Sequence, residues 1–426
     1  MDRLSRTAIP PLLAGKPPLP IGQFEHRPGI IDLGWGHPGP ELLATVGLRR
    51  AAVRVIDKYG PDALNYGYSA GPGPLITWIC ERLSNVDALA PSPDCIVATA
   101  GNSQALDHLA TLLTAPGDVV LVEAPTYHLA VRILQDHAVE LVPIRTDHLG
   151  LRVDALAETV RQLRLRHRRV RLLYTIPTFH NPMGVSLMEE RRRNLVEVAE
   201  SEQLLIIEDD AYRELSYDGP APQSLWSLAR PGNVVRLGSF AKSLAPGLRT
   251  GFITADPALA SRIRDSGLLD SGGGISHFSS LVVAEFAAAG DYARNVEKLR
   301  KAYAERRDAL LTSLSRHLEG RATWLHPPGG YFVWVTLNAG QDAAALLPQA
   351  EADGSSYLPG STFYLGSGEG VSSLRLAFSR YGPEELVEAV KRLGTTLSRA
   401  TLRPAIKSQA GAPRADTIGR PPRRRG

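Results

Sequence analysis

From Cys95 onward, short apolar runs alternate with longer stretches in which apolar residues recur every three or four positions. The runs are CIVAT (95–99), VVLVE (119–123), VELVPI (139–144), VRLLYT (170–175) and LLIIED (204–209), followed by Val234 to Leu237 and Gly251 to Thr254. The periodic stretches between them, Ser103–Leu113, Tyr127–Asp136, Val153–Leu163 and Glu189–Ala199, predict amphipathic helices. Unbroken apolar runs between such helices predict parallel strands covered on both faces. Upstream, Pro74–Leu83 predicts a helix with Leu75, Ile79 and Leu83 on one face. Downstream, a glycine-rich loop (GLLDSGGGISHFSS, 267–280) precedes a helix at Leu281–Ala289. A long charged helix, Tyr292–Leu314, then leads to a smaller α+β part. Its strands are ATWLH, GGYFVWVTL and SLRLAF, and its helices lie near Ala343–Ala350 and Pro383–Ser398.

This pattern divides the chain into an irregular proline-rich arm (1–30), a large domain (31–290), a small domain (291–400) and a tail (401–426). At 426 residues the chain exceeds what one hydrophobic core usually fills. No run of about 18 apolar residues occurs, which argues against a membrane-spanning helix. The first twenty residues are broken by prolines and do not read as a secretory signal, so a cytoplasmic setting is expected. Cys80 and Cys95 make neither a disulfide framework nor a metal site. The net charge of +4 belongs to the tail, where seven basic residues face the single acid Asp416, leaving the preceding chain at −2. No nucleic-acid partner is therefore expected for the folded body, and the tail reads as disordered.

Ligands of parallel sheets bind beyond the carboxyl ends of the strands, so the residues following each run are the candidates for chemistry. After CIVAT, a glycine turn opens a helix whose backbone N–H groups at Asn102 and Ser103 face an anion, unless Ser103 is only an N-cap. After VVLVE, Tyr127 offers a flat surface for a heteroaromatic ring. Asn181 in IPTFHNPMGVS can donate a hydrogen bond, and LLIIE leads into Asp209 with Tyr212 three residues on. SFAKSLAPGLRTGF (239–252) places Lys242 on a strand-to-loop exit, flanked by the hydroxyls of Ser239 and Ser243 and followed by Arg249, a cluster suited to a phosphate dianion. A lysine becomes nucleophilic where an apolar pocket or a nearby cation discourages its ammonium form. Arg375, in SSLRLAF, points opposite to Leu374 and Leu376, and unaided reads as a solvent-facing arginine.

Taken in order, SFAKSLAPGLRTGF, GNSQALD, APTYHLA, TFHNPMG and EDDAY resemble the motifs of pyridoxal-phosphate enzymes of the aminotransferase class I/II family, in wording closest to its aminoadipate/kynurenine branch. The resemblance implies a fold type I α/β architecture, with a mixed, mostly parallel seven-stranded sheet covered by helices plus a smaller α+β domain. It implies pyridoxal 5'-phosphate held as an aldimine on Lys242, with its phosphate bound by Asn102, Ser103, Ser239 and Arg249. Tyr127 would stack on the ring, Asp209 would pair with the ring nitrogen, and Asn181 and Tyr212 would donate to the phenolate oxygen. Lys242, Asp209 and Tyr212 become the catalytic group. Arg375 would grip the substrate's α-carboxylate, Gly36 and Asn181 would border the substrate, and Trp35 would line its pocket. Tyr66 would reach the phosphate in a neighbouring subunit, making the protein a homodimer with shared sites. The implied reaction is transamination between an α-amino acid and a 2-oxo acid. The same residues also serve β- or γ-carbon elimination, replacement or cyclisation, and, more remotely, an amino-acid-sensing regulator. Met183, where the family commonly has threonine, and His128 and His180 mark either a remodelled pocket or plain variation.

Overall fold

The computed structural model describes residues 27–402, apart from 88 and 339. The basic tail and most of the arm lie outside the described residues. The chain runs β1 (Ile31–Asp32), α1 (Thr45–Tyr59), α2 (Gly73–Ser84), β2 (Ile96–Thr99), α3 (Asn102–Leu113), β3 (Val119–Ala124), α4 (His128–Leu134), β4 (Glu140–Asp147), β5 (Gly150–Leu151), α5 (Val153–Leu165) and β6 (Val170–Thr175). It continues through α6 (Glu189–Ser201), β7 (Leu205–Asp209), α7 (Leu225–Leu228), β8 (Val234–Ser239), β9 (Gly251–Thr254), α8 (Pro257–Arg264), α9 (Gly267–Asp270), α10 (His277–Ala288) and α11 (Asp291–Leu318). The last elements are β10 (Ala322–Trp324), β11 (Phe332–Leu337), α12 (Ala343–Ala352), β12 (Ser355–Ser356), β13 (Leu358–Pro359), β14 (Ser373–Ala377) and α13 (Pro383–Leu402).

The large sheet has the order β2-β9-β8-β7-β6-β3-β4-β5. Strands β8, β7, β6, β3 and β4 are parallel, whereas β9 runs antiparallel between β2 and β8. Seven strands match the apolar runs. The eighth, β5, is a two-residue return of β4 through a tight turn, too short to leave a period in the sequence. Every residue of β2 and β3 is buried, as strands covered on both faces must be.

Helix α1 has no counterpart among the predicted elements. Ala51 and Val55 are buried, and Leu48, Ala52 and Tyr59 pack beside them as one apolar stripe at helical spacing. It packs on α10, where Phe286 lies against Gly47 so closely that a Cβ there would sit 2.6 Å from the ring.

The second sheet, β10-β11-β14-β13, is antiparallel. Helix α11, 28 residues and about 42 Å long, joins the two halves. Its Tyr292 and Val296 pack with Phe240 and Leu281 beside the large sheet, and its Leu310, Leu314 and Leu318 pack with Val333, Leu374 and Leu393 beside the small one. The start of the described chain crosses over as well, since β1 pairs in parallel with β12. The carboxyl ends of the parallel strands therefore face the small sheet across a cleft, which the segment after β1 borders.

Candidate active site

Strand β8 ends at Ser239, and the turn beyond it carries Lys242 into the cleft. The Lys242 ammonium donates to the carbonyl of Gly36 at 3.3 Å and lies 5.7 and 5.5 Å from the ring centres of Tyr212 and Tyr331. Burial, together with the cations of Arg375 and Arg249, lowers its pKa to about 8, against the opposing pull of Asp209. A neutral amine is thus accessible near physiological pH.

Asp209, the last residue of β7, is buried and accepts side-chain hydrogen bonds from the Tyr174 hydroxyl at 2.8 Å and from the Asn102 amide at 2.6 Å. Burial raises its proton affinity, and these donors pull in the opposite direction. Neighbouring Asp210 points elsewhere, into a buried cluster with Arg236 and Asp87. Alternation at the strand end thus sends one carboxylate to the cleft and the other beneath the sheet.

Helix α3 opens at this edge. Its N-cap is Gly101, with φ +91°, so Ser103 lies inside the first turn and is not the cap. A Cβ on Gly101 would sit 2.6 Å from the guanidinium of Arg249, which in turn donates to the carbonyl of Ala100 at 3.1 Å. Arg249 itself adopts a left-handed conformation, φ +49°. The glycine turn and the arginine thus form one exposed, positively charged corner at a helix N-terminus, suited to a phosphate. The Ser239 hydroxyl accepts from the Ala241 amide at 3.1 Å beside it. Ser243 does not join this corner. It is buried, accepts from the Tyr292 hydroxyl at 2.7 Å and takes an Asn295 amide on its carbonyl, so it fastens the lysine turn to α11.

Arg375 is 2% exposed, so the solvent-facing reading of this arginine fails. Its guanidinium lies between the rings of Phe332 at 4.0 Å and Phe363 at 4.8 Å. It donates to Asn181 Oδ1 at 2.6 Å and to the Gly34 carbonyl, while its Nε has no partner. Burial lowers its pKa to about 10, which leaves it charged at neutral pH.

Trp35 is buried with Met183, Trp334, Leu358 and Phe363. Its ring lies 6.0 Å from that of His128, which Phe363 and Tyr127 flank edge-on. Burial and the cations of Arg375 and Arg132 push His128 down to about 3, so it is neutral. His180 lies 3.1 Å from Glu123 and supports the Asn181 loop. Tyr127 begins α4 as its N-cap, part-buried, and Gly36 lies so close to Phe332 that a Cβ would approach the ring to 2.6 Å. Tyr66 stands apart from this cluster, 85% exposed, with its ring over Gly272. Leu64, Tyr68 and Leu268 are exposed as well. Among the described residues no cluster could hold a metal ion.

Two site residues escape sequence reasoning. Tyr174 is the penultimate residue of the run VRLLYT, where its hydroxyl reads as one more strand residue, and Tyr331 follows the paired glycines Gly329-Gly330. The strand end and the double glycine were the available signals.

A lysine with a depressed pKa, a buried carboxylate and a buried arginine gather at the carboxyl edge of this sheet. The chain belongs to the aminotransferase class I and II family, whose model matches residues 31–393. It is 34% identical over 371 residues to aromatic-amino-acid aminotransferase 1 of Thermococcus litoralis, covering 86% of this chain and 88% of that one. Among solved structures, a kynurenine aminotransferase of Pyrococcus horikoshii superposes with a TM-score of 0.83 at 33% identity, covering 87% of this chain and 91% of the other. An alpha-aminoadipate aminotransferase of Thermus thermophilus, solved with N-(5'-phosphopyridoxyl)-L-leucine, gives 0.80 at 31% identity, covering 88% and 94%.

Proposed function

We propose that this chain binds pyridoxal 5'-phosphate at Lys242 and moves the amino group of an α-amino acid to a 2-oxo acid. The observation that carries this reading is the placement of Lys242 Nζ at the Gly36 carbonyl between the rings of Tyr212 and Tyr331, in the turn that follows β8. The residues present fit the cofactor. Gly101 leaves room for Arg249 at the helix start, where the first backbone N–H groups of α3 open onto the same corner. Lys242 would hold the cofactor covalently, Asp209 its ring nitrogen, Tyr127 a ring face, and Asn181 and Tyr212 its ring hydroxyl. The α3 N–H groups, Ser103, Ser239 and Arg249 would hold its phosphate. When bound, the cofactor supplies an electron sink for a carbanion at the substrate's α-carbon.

The protein's own groups do the rest. Arg375 presents a planar fork to the α-carboxylate, a geometry that lysine does not copy. Lys242 Nζ, in its neutral form, takes the α-proton and returns it on the far side of the exchange. Gly36 and the aromatic walls exclude water from that proton. We infer two domains, 31–290 and 291–400, that meet at this cleft, and a homodimer in which exposed Tyr66 of each subunit completes the other's phosphate site. The two unpaired cysteines fit a cytoplasmic setting.

The test is a half-reaction without any 2-oxo acid, using the cofactor-loaded protein and a panel of aromatic, acidic and aliphatic amino acids. Stoichiometric 2-oxo acid with conversion to the pyridoxamine form supports transamination. Return of the original cofactor spectrum with a rearranged product points instead to β- or γ-carbon chemistry. Retention of full activity by Lys242→Ala overturns both.

A further inference from the structure

The paired glycines before β11 bring the small sheet into contact with the lysine turn. A Cβ on Gly329 would lie 2.4 Å from the Phe179 ring and 2.5 Å from the Leu215 carbonyl, so a larger residue would push this segment away. Gly330 donates to that same carbonyl at 2.9 Å, and its own carbonyl accepts from the Tyr217 hydroxyl at 2.5 Å. The next residue, Tyr331, is 1% exposed. Its hydroxyl donates to the backbone carbonyl of Lys242 at 2.9 Å and lies 3.2 Å from the hydroxyl of Tyr303 on α11. Its ring lies edge-on to Tyr212 at 5.4 Å and to Tyr303 at 5.0 Å, and its centre is 5.5 Å from Lys242 Nζ. One side chain of the small sheet thus touches Lys242 at both its backbone and its amine end.

We propose that Tyr331 is a positioning residue for Lys242: through its hydroxyl bond to the Lys242 carbonyl, braced by Tyr303, it ties the placement of the lysine amine to the seating of the small sheet on the cleft. The inference rests on the reading of Lys242 as the cofactor-bearing residue. The physical reason is geometric. A lysine side chain has four rotatable bonds, and the pocket gives Nζ one polar contact, the Gly36 carbonyl. Fixing the backbone carbonyl and one wall confines the amine to the volume between Tyr212 and Tyr331. A shift of about 1 Å in such a group is enough to cost a large factor in proton transfer. The charged and titratable groups that bear on the amine are Asp209, Arg249, Arg375 and His37, together with these two phenols. Removing the Tyr331 hydroxyl leaves the other five in place.

The experiment compares Tyr331→Phe and Tyr303→Phe with the parent protein in two ways. In the cofactor-free protein, competitive acetylation read by mass spectrometry gives the pH midpoint of Lys242. Freed from its tether, the amine reaches water more often, and the midpoint rises by about one unit in Tyr331→Phe and by less in Tyr303→Phe. In the loaded enzyme, kcat falls about tenfold, KM stays within about twofold, and the primary isotope effect on kcat from an α-deuterated amino acid increases. Unchanged Lys242 midpoint and isotope effect in Tyr331→Phe, with only a lower melting temperature, would show that Tyr331 merely packs and overturn the proposal. Borohydride reduction of the loaded parent protein separates the two failures. If the cofactor is not trapped on Lys242, it is the underlying reading that falls.

Discussion

The side-chain amide of Asn102 donates to Asp209 at 2.6 Å, so the first residue of α3 holds the carboxylate that ends β7. The side chain of Asn102 thus serves the acid, and the contact expected of this turn with a phosphate is one of backbone N–H groups. Together with Tyr174, Asn102 gives Asp209 a donor on each oxygen. Removing either donor leaves a buried carboxylate half-satisfied, at a cost of about 1–3 kcal/mol. Asn102→Ala and Tyr174→Phe are each expected to raise the Asp209 pKa and lower kcat about tenfold, whereas Asp209→Asn loses far more. Steady-state kinetics and denaturant melts of the three variants check this ranking.

Arg375→Lys keeps the charge and loses the fork. Because Arg375 is enclosed between Phe332 and Phe363, a lysine there cannot present two parallel donors. We expect KM for the amino acid to rise by about 10²-fold, roughly the worth of one charge-assisted bond, with the cofactor spectrum unchanged. Substrate titrations followed by absorbance measure it.

Lys242 titrates at about 8 in the fold and near 10.4 in an unfolded chain. Below pH 8 both states carry the proton and the cost of the buried ammonium is fully present. Between about 8 and 10.4 only the unfolded chain binds it, so the stability of the cofactor-free protein contributed by this group rises with pH. Comparing cofactor-free parent protein with Lys242→Met by thermal melts across that window isolates the effect. The difference between them is expected to shrink toward high pH.

Gly101→Ala places a methyl 2.6 Å from the Arg249 guanidinium on a backbone with φ +91°. With ψ 168° this backbone is one that essentially only glycine adopts, so strain of about 1–3 kcal/mol is expected, together with a displaced Arg249. Cofactor affinity, measured by equilibrium dialysis, should fall about tenfold or more, and kcat at saturating cofactor should change much less.

What the sequence alone determined was the material that obeys local rules. Apolar runs of five or six residues between helical periods specify parallel strands covered on both faces, and the residues following those runs are the ones that gather in the cleft. Lys242, Asp209 and Asn181 are legible as candidates because each follows a strand, whereas Arg375 unaided reads as solvent-facing and takes its role only from the resemblance. Only the tertiary structure decided direction and partnership. Ser243 turns into the core toward Tyr292 rather than toward the anion corner, since a chain leaving a strand rotates each residue to a different side and packing selects among them. Arg375 is enclosed because Phe332, forty-three residues earlier, and Phe363 close over it. Tyr174 reaches Asp209 from another strand, and Tyr331 reaches Lys242 from the loop before β11. Contacts between residues far apart in the chain depend on how strands and helices pack, and no local period encodes them.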